Sequence, residues 1–235
     1  MKRKLYFVIL AAITAAAVIT GVMHHFSSIP KLSWNFESND FYITLEPRGT
    51  EHIHQDLESF SSAQITVENT GVELQTGENY TVSFTGSKKA EPHISAENGV
   101  LTIKGSDKDS GGYIVLTVPK DAAGDISYSI TTDNGEIQIS GTSNEMNAIT
   151  QNGDILVDDY TGNALTACTE NGDISLDTCR GKNLSVRTKN GDISLDGCSG
   201  TTLTAYSANG DISRDSCSFE TESVISENGD VLKDN

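Results

Sequence analysis

Asn152-Gly153-Asp154-Ile155, Asn171-Gly172-Asp173-Ile174, Asn190-Gly191-Asp192-Ile193 and Asn209-Gly210-Asp211-Ile212 are copies of one tetrapeptide. Degenerate copies begin at Asn134 (Asn-Gly-Glu-Ile) and Asn228 (Asn-Gly-Asp-Val), so the asparagines recur at 18, 19, 19, 19 and 19 residues. A fixed period of this length marks an array in which each unit stacks on its neighbour. Two residues before each Asn stand Thr132, Thr150, Thr169, Thr188, Ser207 and Ser226. Three after stand Ile137, Ile155, Ile174, Ile193, Ile212 and Val231. Five after stand Ile139, Val157, Leu176 and Leu195, then Arg214 and Lys233. Alternation on both sides of Asn-Gly predicts short strands with one face buried. The inward parity slips across each Asn-Gly pair and again before Tyr160, Cys179, Cys198 and Cys217. A third break at Gly162, Gly181 and Gly200 precedes Leu165, Leu184 and Leu203. Three breaks per rung predict a roughly triangular coil.

Asn-Gly between alternating strands is also the strongest short hairpin signal, which makes an antiparallel meander the rival architecture. A meander has no need for identical residues at every 19th position. In a parallel coil each residue lies about 4.8 Å above its counterpart, and Asn and Thr side chains can bond along the column. The expected fold is therefore all-β: a parallel single-stranded β-helix of about 19 residues per rung, right-handed by analogy with parallel crossover connections.

The repeat occupies residues 127–235. Residues 35–126 show the same chemistry with blurred spacing, as short alternating runs at Phe41–Leu45, Ala63–Val67, Val72–Gln75, Tyr80–Phe84, Val100–Ile103 and Tyr113–Val118. Asn98-Gly99 falls 36 residues before Asn134, which reads as two periods of 18. One continuous solenoid with an irregular first half is expected, with Pro119 closing its last strand. No amphipathic stretch after Met23 predicts a helix.

Upstream, a basic tip at residues 1–4 (Lys2, Arg3, Lys4) precedes an uncharged run from Leu5 to Met23. Nineteen residues at about 1.5 Å each just cross a hydrocarbon core about 30 Å thick. The basic cluster places residues 24–34, a juxtamembrane linker, and everything beyond it outside the cell membrane. A cleavable signal with an A-x-A-like site at Ala15-Ala16-Ala17 is the rival reading. The 235-residue chain carries 33 acidic against 16 basic residues, a net −17. That balance excludes nucleic acid and repels an anionic membrane surface.

The order of a membrane segment, irregular strands, Ile114-Val115-Leu116-Thr117-Val118-Pro119 and tandem Asn-Gly-Asp-Ile units resembles a bacterial family. It is the β-strand-repeat domain-of-unknown-function family often labelled "putative adhesins". The membrane-anchored LiaG-type proteins of Gram-positive envelope-stress operons are similar. The resemblance covers roughly residues 35–235 and implies a single-stranded β-helix outside the membrane, with no established reaction and no catalytic residues to carry over.

Asp154, Asp173, Asp192, Asp211 and Asp230 form one acidic column, and Asp158, Asp177, Asp196, Asp215 and Asp234 a second. Parity points both outward on one face. Carboxylates stacked about 5 Å apart repel by roughly 3 kcal/mol per pair at an effective dielectric of 20. Bound Ca²⁺ is one source of relief. Hydrogen bonding in the turn for the first column, and solvation for the second, is the other. The columns stand about 13 Å apart, too far to share an ion, and the glycine-rich nonapeptide of calcium β-rolls is absent.

Cys179, Cys198 and Cys217 share an inward column and are expected as buried thiols, since stacked Cβ vectors aim poorly for a disulfide. Cys168 shares an outer column with Arg187, Tyr206 and Ile225. His52 and His54 alternate around Ile53 and would face one side, too few ligands for a metal site. His24 and His25 fall at the membrane interface. A polysaccharide-cleaving enzyme is the minor alternative. Its groove would need a non-repeating acid–base group and aromatic platforms, whereas the acids recur rung by rung and Trp34 is the only Trp. No catalytic, cofactor or metal residue is assigned. The expectation is a membrane-anchored, non-enzymatic binding, adhesion or structural module of the cell envelope. Its partner would be an envelope protein or a cell-wall polymer, and a Ca²⁺-dependent surface is the alternative.

Overall fold

The structure, a computed structural model, describes residues 28–35, 40–47, 50–105 and 111–233. The apolar run Leu5–Met23 and His24–His25 lie outside them. Among the described residues no helix is long and apolar enough to cross a membrane. The chain divides into two units between Thr50 and Glu51. In the first, β1 (Ser28–Asn35) and β2 (Asp40–Pro47) form an antiparallel hairpin that holds the Phe41–Leu45 run.

The second unit is a parallel β-solenoid. Its early strands are β3 (Thr50–Asp56), β4 (Ser62–Thr66), β5 (Thr70–Gly77), β6 (Thr81–Ser87), β7 (His93–Glu97), β8 (Val100–Lys104) and β9 (Gly112–Pro119). A single helical turn, α1 (Lys120–Ala123), leads to β10 (Ser127–Thr132). The regular rungs then run through β11 (Ile137–Thr150), β12 (Ile155–Asn171), β13 (Ile174–Asp177), β14 (Arg180–Asn190) and β15 (Ile193–Asp196). They finish with β16 (Ser199–Asn209), β17 (Ile212–Asp215), β18 (Ser218–Ser226) and β19 (Val231–Lys233).

The register is the sequence period made visible. Ile155 pairs with Ile174, Ile174 with Ile193 and Ile193 with Ile212, an advance of 19 residues per turn. Two sheets grow along the coil. The first contains β13, β15, β17 and β19 with the beginnings of β11 and β12; the second contains β14, β16 and β18 with their ends. A short third stretch joins them, where Thr161-Gly162 pairs with Arg180-Gly181 and then Ser199-Gly200. Between the sheets Ile155, Val157, Leu165, Ala167 and their stacked counterparts are buried in one continuous apolar core. Like residues stack because each rung repeats the volume of the one beneath it, which keeps the interior close-packed without rearrangement.

The second parity slip has a local cause. Asp159, Thr178, Gly197 and Ser216 form a column in the left-handed region, with φ between 51° and 58°. One such residue turns the strand so that the next, Tyr160 or a Cys, points inward. At the Asn-Gly corner the requirement is for close approach. A Cβ on Gly172 would fall inside the carbonyl of Gly153, and one on Gly191 inside that of Gly172. Only glycine lets the rungs close to strand spacing there.

The early rungs are stacked out of sequence order. β4 lies between β8 and β10, and β5 between β9 and β11, all in parallel. The rung β8–β9 therefore comes first in space and β4–β5 second, which is why the spacing blurs there. Asn98-Gly99 is corrected by this order: it is not a solenoid corner two periods before Asn134. It is the two-residue turn of an antiparallel hairpin between β7 and β8, with both residues at positive φ (52° and 75°). That is the conformation in which Asn-Gly favours hairpins. The corner that does stack beneath Asn134 is Asn69, with Asn134 Nδ2 donating to Asn69 Oδ1 at 2.7 Å. β6 closes this end of the coil by pairing antiparallel with β9, and β3 adds to β6.

Candidate functional site

Three hydrogen-bond ladders hold the Asn-Gly corner. Asn152, Asn171, Asn190 and Asn209 each donate Nδ2 to the Oδ1 of the Asn one rung earlier, at 2.8–2.9 Å. The buried hydroxyls of Thr169, Thr188 and Ser207 donate to the carbonyls of Gly153, Gly172 and Gly191. The first acidic column forms the third ladder. The backbone N–H groups of Asp173, Asp192, Asp211 and Asp230 donate to Oδ1 of the preceding Asp, each at 2.8 Å. These carboxylates hydrogen-bond to the next rung rather than within their own turn, and the bonds to N–H offset their mutual repulsion. Of the second column, Asp158, Asp177, Asp196 and Asp215 are exposed, with Asp177 and Asp215 accepting from the hydroxyls of Thr178 and Ser216. Among the described residues no group of three His, Cys, Asp or Glu side chains is placed to hold a metal ion.

All four cysteines are free thiols. Cys179 and Cys198 are fully buried in the column that Tyr160 begins one rung earlier. The neighbouring Cys198 thiol and burial push Cys179 up, and burial pushes Cys217 up. Tyr160 donates to the Ala164 carbonyl at 2.9 Å, which satisfies its buried hydroxyl. His52 and His54 are exposed on β3, facing Thr85 and Ser83 of β6 at 3.2 and 2.8 Å. None of these groups forms a reactive cluster.

One open surface concavity among the described residues lies on the outer surface of the second sheet. A groove of about 670 Å³ runs across β11, β12, β14 and β16, lined by Ile149, Cys168, Arg187, Lys189 and Tyr206, with Glu170 among the other lining residues. The Arg187 guanidinium lies over the Tyr206 ring, 5.0 Å from its centroid, a cation–π contact that orients the charge. A hydrogen bond to Glu227, ahead of burial, holds the Tyr206 hydroxyl above its usual pKa. Burial raises Cys168 while Arg187 pulls it down.

Charge is segregated around the coil. Of the six basic residues in 127–235, Arg180, Lys182, Arg187 and Lys189 all belong to β14, and only Arg214 and Lys233 lie elsewhere. The stacked Asp columns belong to the first sheet and its corner. The second sheet thus carries a basic rung on β14, with the acidic Glu170 of β12 lining the same groove. Sorted by rung, the Lys and Arg residues of the sequence already mark this cluster.

A model of the Toastrack DUF4097 family matches residues 60–232. The chain belongs to this family. No curated protein sequence matches it at a significant level. Among solved structures, this toastrack domain is similar to a "putative adhesin" from Bacteroides fragilis, at 12% identity and a TM-score of 0.55, over 80% of this chain and 98% of that one. A "putative adhesin" from Parabacteroides distasonis aligns at 13% identity and a TM-score of 0.42, over 79% of this chain and 97% of that one. The likeness to the Bacteroides fragilis structure, at 12% identity, speaks for the fold alone.

Proposed function

We propose that this protein is a membrane-anchored, non-enzymatic binding module of the bacterial cell envelope, and that it engages its partner through the groove on the second sheet. The observation that carries the reading is the Arg187–Tyr206 pair with Lys189 in that groove, on a chain of net charge −17. A basic, partly apolar groove on an acidic rod orients an acidic partner and keeps the rest of the surface from competing. The description of the Bacteroides fragilis relative as a "putative adhesin" agrees with a binding role. The uncharged run Leu5–Met23 supplies the anchor and places the solenoid outside the membrane. The partner is an envelope protein or cell-wall polymer that presents anionic groups.

The test is retention of the detergent-solubilised full chain on isolated envelope fragments, compared with Arg187→Glu/Lys189→Glu. The variant is expected to lose retention at unchanged Tm. Equal retention overturns the reading. A Ca²⁺-dependent surface built on the Asp columns is the alternative, weakened because Oδ1 of four Asp residues already accepts a backbone N–H. An equal Tm in millimolar Ca²⁺ and in chelator removes it.

A further inference from the structure

The groove is one half of a longer trough. A second concavity of about 340 Å³ lies on the same outer surface, across β4, β10, β11 and β12, lined by Ser62, Gln64, Ser127, Ser129, Asn147 and Thr166. Asn147 is two residues from Ile149 on β11, and Thr166 two from Cys168 on β12, so the two concavities meet side by side. The strand order β4, β10, β11, β12, β14, β16 carries the trough along the coil for roughly 24 Å at strand spacing. Its two halves differ in chemistry. At the β14–β16 end stand Arg187 and Lys189, beside Glu170. A guanidinium stacked on a ring, as Arg187 is on Tyr206, can still offer its fork of N–H groups to a planar carboxylate. The other half is neutral but for Glu145. There Gln64, Ser129, Asn147 and Thr166 form one column that changes residue type at every rung. Gln64 is exposed and the other three half-buried, and among the described residues their side chains make no hydrogen bond to the protein. The corner asparagines, in contrast, bond to the rung beneath.

We propose that the trough binds an acidic polysaccharide laid along the coil axis. Its sugar hydroxyls bond to the column Gln64, Ser129, Asn147 and Thr166, and a carboxylate of the same chain sits on Arg187 and Lys189. This rests on the groove being the partner site and names the class of that partner. Other occupants fit one half only. A protein partner is anchored by aromatic and aliphatic side chains seated in pockets, and Ile149 is the one exposed large hydrophobic side chain among the trough's lining residues. A polymer charged at every repeat would lie over the neutral half and against Glu145, with cations at one end alone. A hydroxyl-rich chain with acid groups at intervals matches both halves. The hydroxyl and carboxamide column supplies both donors and acceptors, as sugar hydroxyls require.

The test uses the detergent-solubilised full chain and isolated envelope fragments treated in three ways. Protease removes polypeptide. Anhydrous trifluoromethanesulfonic acid cleaves glycosidic bonds and spares peptide bonds. Carbodiimide with an amine, applied after protease, converts carboxylates to amides. Retention is expected to survive protease and to be lost after the acid or the amidation. Asn147→Ala/Thr166→Ala is expected to weaken retention about tenfold at unchanged Tm, the effect of losing two neutral hydrogen bonds. Retention that survives the acid and is lost to protease overturns the proposal and leaves the groove reading standing, with a protein as partner. Retention that survives both and is lost to cold aqueous hydrofluoric acid, which hydrolyses phosphodiesters, overturns it in favour of a phosphate polymer. Retention that survives amidation, or is equal in Asn147→Ala/Thr166→Ala, also overturns it. Untreated fragments that fail to retain the chain overturn the groove reading, and this one with it.

Discussion

Arg214 Nη1 lies 2.6 Å from Glu222 Oε2, and both residues stand where earlier rungs place leucine. Arg214 stacks on Leu195 and Glu222 on Leu203. The Arg214 side chain is 6% exposed and that of Glu222 28%. The pair closes the apolar core with charge, so the interior does not present a bare leucine layer at its end. Glu222→Ala strands the guanidinium and should lower stability by about 1–3 kcal/mol, less than a fully enclosed pair because Glu222 reaches solvent. Arg214→Leu/Glu222→Leu should recover that loss in thermal melts while making the protein self-associate in sedimentation velocity.

The Asn ladder and the Gly stack should respond differently to substitution. Asn171→Ala removes bonds to Asn152 and from Asn190, each 2.8 Å, and should cost about 1–3 kcal/mol by urea unfolding. Asn228→Ala removes only the end link and should cost less. Gly172→Ala should exceed both, since its Cβ meets the Gly153 backbone, which has no room to shift.

The repeat half of the solenoid was legible because like residues at 19-residue spacing leave little choice but to stack. Ile155 over Ile174 and Asn152 under Asn171 follow from the columns alone. The early half was not, because β4 is inserted between β8 and β10, so stacked neighbours such as Ile65 and Ile130 are 65 residues apart. Asn98-Gly99 and Asn152-Gly153 share a dipeptide yet make opposite turns; only the strands around them decide which. Glu222 in the Leu203 column and the basic rung on β14 were visible as exceptions to the repeat. Their meaning needed three dimensions, since a groove is made by what neighbouring rungs bring beside a residue.

Thiol reactivity should follow the stacking. Cys168 lines the groove and should react first with a chromogenic disulfide reagent in the native protein. Cys179 and Cys198 are buried and should react only on unfolding. Denaturation without reductant should release four free thiols; fewer would reveal a disulfide in place of the packed column.

Alkaline stability should fall in a defined window. Tyr113 donates to Glu73 Oε2 at 3.1 Å, and burial, followed by the charge of Glu73, pushes its pKa up to about 12. The folded state therefore favours the protonated phenol. Its contribution is complete below about pH 10, the unfolded value, and is lost as pH rises through about 12. Tyr113→Phe should flatten this part of the stability–pH curve, measured by urea midpoints at each pH.

The central claim, that binding resides on the second sheet and not on the acidic columns, is tested most directly by a paired comparison of envelope retention. Arg187→Glu/Lys189→Glu reverses the groove, and Asp177→Asn/Asp196→Asn neutralises exposed carboxylates of the first sheet. Retention should collapse in the groove variant and persist in the neutralised one. Persistence in the groove variant, with loss in the other, would contradict the account and return the acidic columns to the centre of function.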